Sequence, residues 1–347
     1  MKRVYLDWNA TAPLRPEARA AMISAMDLIG NPSSVHGEGR AAKSILEKAR
    51  AQVAAAFGAQ NADIVFTSGA TEAAGLALAG RGIHCSGVEH DCVAVWCDAS
   101  LSADKTGRVG VADPSTTALQ AANSETGICQ DLPDGVFLAD FVQSFGKLPV
   151  AFEWSGAQMG LLSAHKLGGP KGVGALVLRQ GLEVPSQIKG GGQEMGRRSG
   201  TENLIGIAGF GAAAQAAAQD LADGVWDAVA TLRDALESRI LNIAPNAVIM
   251  GQDVNRLPNT SCFAVAGWKA ETQVMQMDLA GFAISAGSAC SSGKVKASRV
   301  LQTMGFDDIT AASAIRVSMG PATTQNDIDS FVSAWGKCYQ KFRAKAA

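Results

Sequence analysis

The stretch Ser163-Ala164-His165-Lys166-Leu167-Gly168-Gly169-Pro170-Lys171-Gly172 decides how this chain reads. It sets a lysine beside a histidine at the head of a turn rich in glycine and proline. A lysine on such a loop is ordinarily a solvated side chain. As a reactive amine it needs a confined site and a lowered pKa. A nucleotide-binding P-loop is ruled out, because Gly-x-x-x-x-Gly-Lys-Ser/Thr does not occur. Upstream, the apolar run Val136-Phe137-Leu138-Ala139 delivers Asp140, with Gln143 three residues on. A carboxylate beside a pyridine nitrogen keeps that nitrogen protonated, and the ring then acts as an electron sink. Downstream, Cys290 stands in Ser285-Ala286-Gly287-Ser288-Ala289-Cys290-Ser291-Ser292-Gly293. An amine for an aldehyde cofactor, an acid for its ring nitrogen and a thiol on a small-residue loop together point to sulfur chemistry with pyridoxal phosphate.

The remaining candidates are each weighed against a plainer reading. Thr67-Ser68-Gly69-Ala70-Thr71-Glu72 joins an apolar strand to a helix. It is either a capped turn or a phosphate cradle of N–H groups at a positive helix end. His90 is either structural or a flat surface for a heterocycle. Arg316 interrupts the apolar run Ala314-Ile315-Arg316-Val317 and must be paired. Its partner is an internal carboxylate or the carboxylate of an amino-acid substrate. Small residues around Cys290 suit a thiol carried to a substrate, and Lys294 and Lys296 would favour its thiolate. Cys262 reads as a strand residue, and Cys85, Cys92, Cys97, Cys129 and Cys338 read as packing residues. The loop from Gly190 to Thr201, with Arg197 and Arg198, is a surface turn or a phosphate contact.

Composition narrows the class. A net charge of −2 over 347 residues gives no electrostatic reason to expect nucleic acid or an anionic membrane surface. Seven cysteines without a Cys-x-x-Cys pair suit a reducing compartment and argue against a zinc site or a disulfide framework. No apolar run approaches a membrane span, and the start of the chain lacks a secretory apolar region. The expectation is a cytoplasmic α/β enzyme without a metal. Apolar periodicity predicts helices over 16–28, 38–57, 70–79 and 324–345. Strands are predicted over 63–67, 136–139 and 174–178, with a long helical stretch between Asn203 and Ala244. This alternation predicts a mostly parallel sheet between helices. Pro245 is a natural helix stop, so a large domain is expected over 13–245. A smaller α/β domain is expected over 246–347, joined by residues 1–12.

On these residues the chain resembles the cysteine desulfurases of the iron–sulfur cluster assembly type, within the class V aminotransferase family. The resemblance opens at Tyr5-Leu6-Asp7-Trp8-Asn9-Ala10-Thr11-Ala12-Pro13 and Gly30-Asn31-Pro32-Ser33-Ser34-Val35-His36. It continues through the Ser68-to-Glu72 cradle, Glu89-His90 and Asp140-Phe141-Val142-Gln143-Ser144-Phe145-Gly146-Lys147. The Lys166, triple-glycine, Cys290 and Arg316 segments complete it. It implies a pyridoxal-phosphate fold of type I, with a sheet of the seven-stranded type. Lys166 would hold the cofactor aldehyde, with Asp140 on the ring nitrogen, Gln143 near the ring oxygen and His90 stacked on the ring. Ala70, Thr71, Ser163 and His165 would bind the phosphate. Thr201 would reach the phosphate of a neighbouring subunit, making the enzyme a homodimer. Arg316 would take the substrate carboxylate, with Asn31 and Asn123 also on the substrate side.

The implied reaction turns L-cysteine into L-alanine and leaves a persulfide on Cys290. That sulfur passes to an acceptor protein such as an iron–sulfur scaffold, or to thiolation. Alternatives are a selenocysteine lyase-like β-elimination and a weakened dimeric homologue that relays sulfur. Three departures stand out. Ser124 replaces an asparagine that relatives place near the ring oxygen and substrate carboxylate. The chain is short around 80–88 and 130–136, where a helix of the relatives is missing. The approach to the lysine segment, Glu153 to Leu162, is also unlike theirs.

Overall fold

The structure, a computed structural model, describes residues 3–287 and 297–346. A short strand, β1 (Val4–Tyr5), precedes two helices, α1 (Pro16–Met26) and α2 (Gly37–Phe57). Pro16 starts α1 because its fixed φ suits the first helical turn. The His36 ring accepts the Gly39 N–H at the start of α2, and Gly58 ends it with φ of 59°.

The large sheet is built from β2 (Ala62–Thr67), β3 (His84–Ser86), β4 (Asp98–Leu101), β5 (Ala118–Gln120), β6 (Leu138–Asp140), β7 (Met159–Ser163) and β8 (Gly174–Arg179). Five of these run in the order β2-β8-β7-β6-β5. A parallel bridge from Thr117 to His84 continues the layer to the parallel pair β3-β4. Only β8 runs against the rest, pairing antiparallel with both β2 and β7. The expected mostly parallel, seven-stranded arrangement is therefore present as a mixed sheet with one reversed strand.

Alternate residues of each strand feed opposite cores, as the two-residue period requires. Ile64, Phe66, Ala175 and Val177 face a cluster with Phe57, Phe141, Phe152 and Phe210. That face is covered by α1, α2 and α5 (Leu204–Ala222). Val65, Leu176 and Leu178 face a second cluster, with Ala73, Leu76 and Val93 of α3 (Ala70–Leu78) and α4 (Asp91–Ala94).

After α5 the chain turns at Gly224, with φ of 70°, into α6 (Val225–Ile243). The long helical stretch read from the sequence is thus two helices. Further along come β9 (Val248–Ile249), β10 (Thr260–Ala264), α7 (Ala270–Leu279), β11 (Phe282–Ala283) and β12 (Ser285–Ala286). The last elements are α8 (Arg299–Thr303), α9 (Asp308–Ala311), β13 (Ala314–Ser318) and α10 (Gln325–Ala346). A second, antiparallel sheet has the order β12-β13-β10-β9, and β1 pairs in parallel with β11. Its core gathers Phe263, Trp268, Phe331 and Trp335 with Leu6 and, from α6, Trp226, Leu236 and Ile240.

Residues 130–136 form a turn, not a helix. Val136 is buried in the main core and Leu132 packs against it, so apolar side chains cover the sheet there without helical backbone. The strand expected over 136–139 begins two residues later and takes in Asp140 as its last residue.

Candidate active site

The C-terminal ends of the parallel strands open into a cavity of about 620 Å3. In such sheets ligands bind beyond the strand carboxyl ends. Ala70, Thr71, His90, Ser124, Asp140, Gln143, Ser163, His165, Lys166 and Arg316 all line it. These residues come from both sheets and from stretches nearly 250 residues apart.

Asp140 closes β6 and is buried. Its Oδ1 accepts the Val142 N–H at 2.8 Å, and Oδ2 has no hydrogen-bond partner among the described residues. Burial pushes its carboxyl above the ordinary aspartate range, although the Val142 N–H, His90 and Lys166 pull the other way. The site therefore offers a desolvated acid that a cationic ring nitrogen would satisfy. His90 caps α4, its Nδ1 accepting the Cys92 N–H at 3.1 Å. In the neutral ring the proton then sits on Nε2.

Lys166 follows β7 on a short turn, and its Nζ donates to the carbonyls of Asn9 at 2.7 Å and Ala10 at 2.9 Å. His165 Nδ1 lies 3.2 Å from Thr11 Oγ1. Burial, reinforced by Lys166, Lys171 and Lys147, lowers its pKa to about 4, so it is neutral at pH 7.

The first turn of α3 supplies an anion cradle. Glu72 Oε2 accepts the Ser68 N–H at 2.8 Å, while the N–H groups of Ala70 and Thr71 have no acceptor among the described residues. Gly174 lets β8 press against this turn: a Cβ there would lie 2.7 Å from Gly69 Cα and 2.6 Å from the Leu162 carbonyl.

Arg316 has the internal partner that its burial demands. One guanidinium nitrogen bonds Asp7 Oδ1 at 2.7 Å and another the Ser124 carbonyl at 2.9 Å, while buried Nε has no hydrogen-bond partner among the described residues. Pairing with Asp7 does not remove it from the cavity wall.

Three candidates stand elsewhere. Asn123 is spent on the fold: its Nδ2 donates to the Val88 carbonyl, and its Oδ1 accepts the N–H groups of Glu125 and Thr126. Asn31 is exposed and caps the Ser33 N–H. Thr201 lines a neighbouring hollow that shares Ser68 and Gly172 with the main cavity. Cys290, with Lys294 and Lys296, lies outside the described residues. Cys92, read as packing, lines the cavity with its thiol pushed up by burial.

Sequence reasoning missed Asn9 and Lys147, although both stand in motifs it quoted. Asn9 bonds strand residues of the second sheet and turn residues that follow strands of the large one, and Lys147 is a buried amine touching Gln143. The one available signal was the spacing of Gln143 and Lys147, four residues apart in a tight turn.

The chain is 39% identical to a cysteine desulfurase of Cereibacter sphaeroides, the match covering 99% of this chain and 97% of that protein. Its fold superimposes on the NifS-like protein of Rickettsia africae with a TM-score of 0.87 at 32% identity, covering 97% and 99% of the two chains. SspA, solved in complex with cysteine, matches with a TM-score of 0.73 at 28% identity over 92% of this chain and 100% of that one. The profile of the Aminotransferase class-V family matches residues 4–101 and 111–331. With the match spanning both sheets and the cavity between them, this chain belongs to the class V aminotransferase family.

Proposed function

We propose that this protein is a pyridoxal-phosphate-dependent cysteine desulfurase, converting L-cysteine to L-alanine and lodging the sulfur on Cys290 as a persulfide. The observation that carries the reading is the meeting of Lys166, Asp140, His90, Arg316 and the α3 N-terminus on one cavity. The desulfurase relatives and the cysteine complex of SspA supply the substrate. The residues fit the cofactor: among the described residues the Asp140 acid lacks a partner on Oδ2, and two N–H groups of the cradle lack acceptors.

Bound pyridoxal phosphate supplies the electron sink for bond breaking at the substrate Cα. This chain's own groups do the rest. Asp140 holds the ring nitrogen in its protonated form. Ala70, Thr71, Ser163 and neutral His165 hold the phosphate, and Ser124 and Gln143 serve the ring oxygen. Lys166 Nζ would hold the cofactor aldehyde and, once released, would take the proton from the substrate Cα. Arg316 binds the substrate carboxylate, with an Nε that no described residue accepts in reserve. His90 would stack on the ring, with the Cys92 N–H on Nδ1 leaving the neutral ring's proton on Nε2. The Cys290 thiolate attacks the substrate sulfur; the new S–S bond forms as the C–S bond breaks. That electron pair stays with Cβ, which takes a proton, and a proton is returned to Cα to give alanine.

The same reading makes the enzyme a cytoplasmic homodimer, passing sulfur to an acceptor protein such as an iron–sulfur scaffold. Thr201 would serve the neighbouring subunit's phosphate, which its separate hollow supports. Ile23, Met26, Ile29 and Val35, large apolar side chains left exposed, support a partner surface. The division between cofactor and substrate units falls at Asp223–Gly224 instead of Pro245, a placement supported by the packing of α6 in the second core.

The deciding test is stoichiometric alanine and sulfide from L-cysteine. Cys290→Ala is expected to keep the visible band of the bound cofactor and lose sulfide release, whereas Lys166→Ala loses the band. Undiminished sulfide from Cys290→Ala would overturn the persulfide step.

A further inference from the structure

Beneath the cavity floor lies a lysine that the proposed reaction does not use. Lys147 is buried, and it is not among the residues lining the cavity. Its Nζ donates to Gln143 Oε1 at 2.7 Å and to Asn9 Oδ1 at 3.3 Å. Gln143 does line the cavity, and its Nε2 donates to the Asn9 carbonyl at 3.0 Å. That carbonyl accepts only, so the amide nitrogen must face it and Oε1 must face the amine. Asn9 is oriented by the same logic. Its Nδ2 donates to the Ser124 carbonyl at 3.2 Å, which leaves Oδ1 for Lys147 and for Asn259 Nδ2. Every amide in the cluster therefore has one orientation, and Gln143 retains one N–H that no described residue accepts.

We propose that Lys147 is a positioning residue of the site: by holding Gln143 Oε1 beneath the floor, it makes the amide present an N–H to the ring oxygen of a bound pyridine aldehyde. The inference rests on the function proposed above and deepens it. Without a donor at Oε1, the amide would carry an unsatisfied buried oxygen. Rotation would relieve it by turning the carbonyl toward the cavity, where it would repel the ring oxygen. Burial, together with Lys166 and Arg316, lowers the Lys147 pKa well below the ordinary lysine range. Its two contacts are with acceptors, so either protonation state keeps them.

The test uses the full chain with pyridoxal phosphate and reads equilibrium cofactor binding and the pH midpoint of its visible band. Lys147→Met keeps the unbranched stem, ends one atom short of Nζ and removes the donor. It is expected to weaken cofactor binding by about 10-fold, the effect of one lost buried partner, and to move the midpoint as Gln143→Leu does. Added to Gln143→Leu, it is expected to do nothing further. Parent values in Lys147→Met, or losses that multiply in the double variant, would overturn the proposal. Should Lys147→Met not fold, Gln143→Glu reads the contact from the other side. Its carboxylate keeps the bond to the amine but loses the N–H to the Asn9 carbonyl and the N–H to the cavity, so melting temperature and cofactor binding should both fall; cofactor binding at the parent value would overturn the proposal. A parent that binds the cofactor but makes no alanine sinks the desulfurase reading and leaves this one standing. A parent without the visible band sinks both.

Discussion

Asp140 shows at the residue scale how function and stability part company. Its carboxyl is pushed upward by burial, so the ionised form is disfavoured by folding. Asp140→Asn keeps an acceptor for the Val142 N–H and removes the charge. Desulfuration is expected to drop by about 100-fold, the scale of a lost preorganised electrostatic group. The melting temperature of the cofactor-free protein should rise in the same variant; a fall would show that the charge is already compensated.

Glu125 makes a pH-dependent version of the argument. It sits on the turn after Ser124, with Oε2 accepting the Ser298 hydroxyl at 2.6 Å. Burial raises its pKa to about 7, offset by Ser298, Arg316 of β13 and Arg299 of α8, with Asp91 of α4 adding to the rise. An acid raised in the folded state binds its proton more tightly there than in the unfolded chain. Its contribution is full below the unfolded value of about 4.3 and is lost as pH climbs through about 7. Glu125→Gln, which titrates in neither state, should therefore gain on the parent by about 2 kcal/mol between pH 5 and pH 8. Urea unfolding at the two pH values checks it, and a constant difference would refute the assignment.

At the element scale the meeting of β8 with the first turn of α3 governs the cradle. Gly174 begins β8 where a methyl group would strike Gly69 Cα and the Leu162 carbonyl. Gly174→Ala must push α3 away from the sheet, at a cost of about 1–3 kcal/mol typical of overpacking. The same displacement spoils the N–H groups of Ala70 and Thr71, so inorganic phosphate should compete with the cofactor less well than in the parent. Equal competition would mean that the cradle does not hold the phosphate.

Elements were legible where the pattern was long and the ends were marked. Helix α2 was read to within one residue because Gly58 stops it, and α3 because Ser68-Gly69 precedes it. The three-residue strands β3 and β5 and the two-residue strands of the second sheet are too short to show a period. Gly224 split a helical stretch that composition alone left whole. Among site residues, Lys166, Asp140, His90 and Arg316 were legible because each charge or ring stands out against apolar or glycine-rich neighbours. Lys147 was not, because a lysine code says nothing of burial. Half of its bonding comes from Asn9, more than a hundred residues away.

At the scale of the whole molecule, residues 4–12 tie the second sheet to the segment that carries Lys166. Leu6 is packed in the second core, Asp7 holds Arg316, and the Ala12 N–H donates to the His165 carbonyl at 2.8 Å. Asn9 is the knot in this strap. Its N–H donates to Ser318 Oγ at 3.0 Å, and its carbonyl accepts Lys166 and Gln143. Its amide bonds the Ser124 carbonyl, Thr260 Oγ1, Asn259 Nδ2 and Lys147 Nζ.

Asn9→Ala removes only the amide, yet it strips partners from the second sheet and from the turns after β5 and β6 at once and leaves buried polar groups behind. A cost of about 3 kcal/mol or more follows from the 1–3 kcal/mol of each unsatisfied group. The joint consequence separates this residue from Asp140. In Asn9→Ala cofactor affinity and unfolding free energy should fall together, because a single network supports both the sheets and the floor of the cavity. Urea unfolding of the cofactor-free chain, set beside equilibrium cofactor binding, measures the pair. Lost affinity at parental stability would mean that Asn9 serves the site alone, and that the two sheets are held together by other contacts.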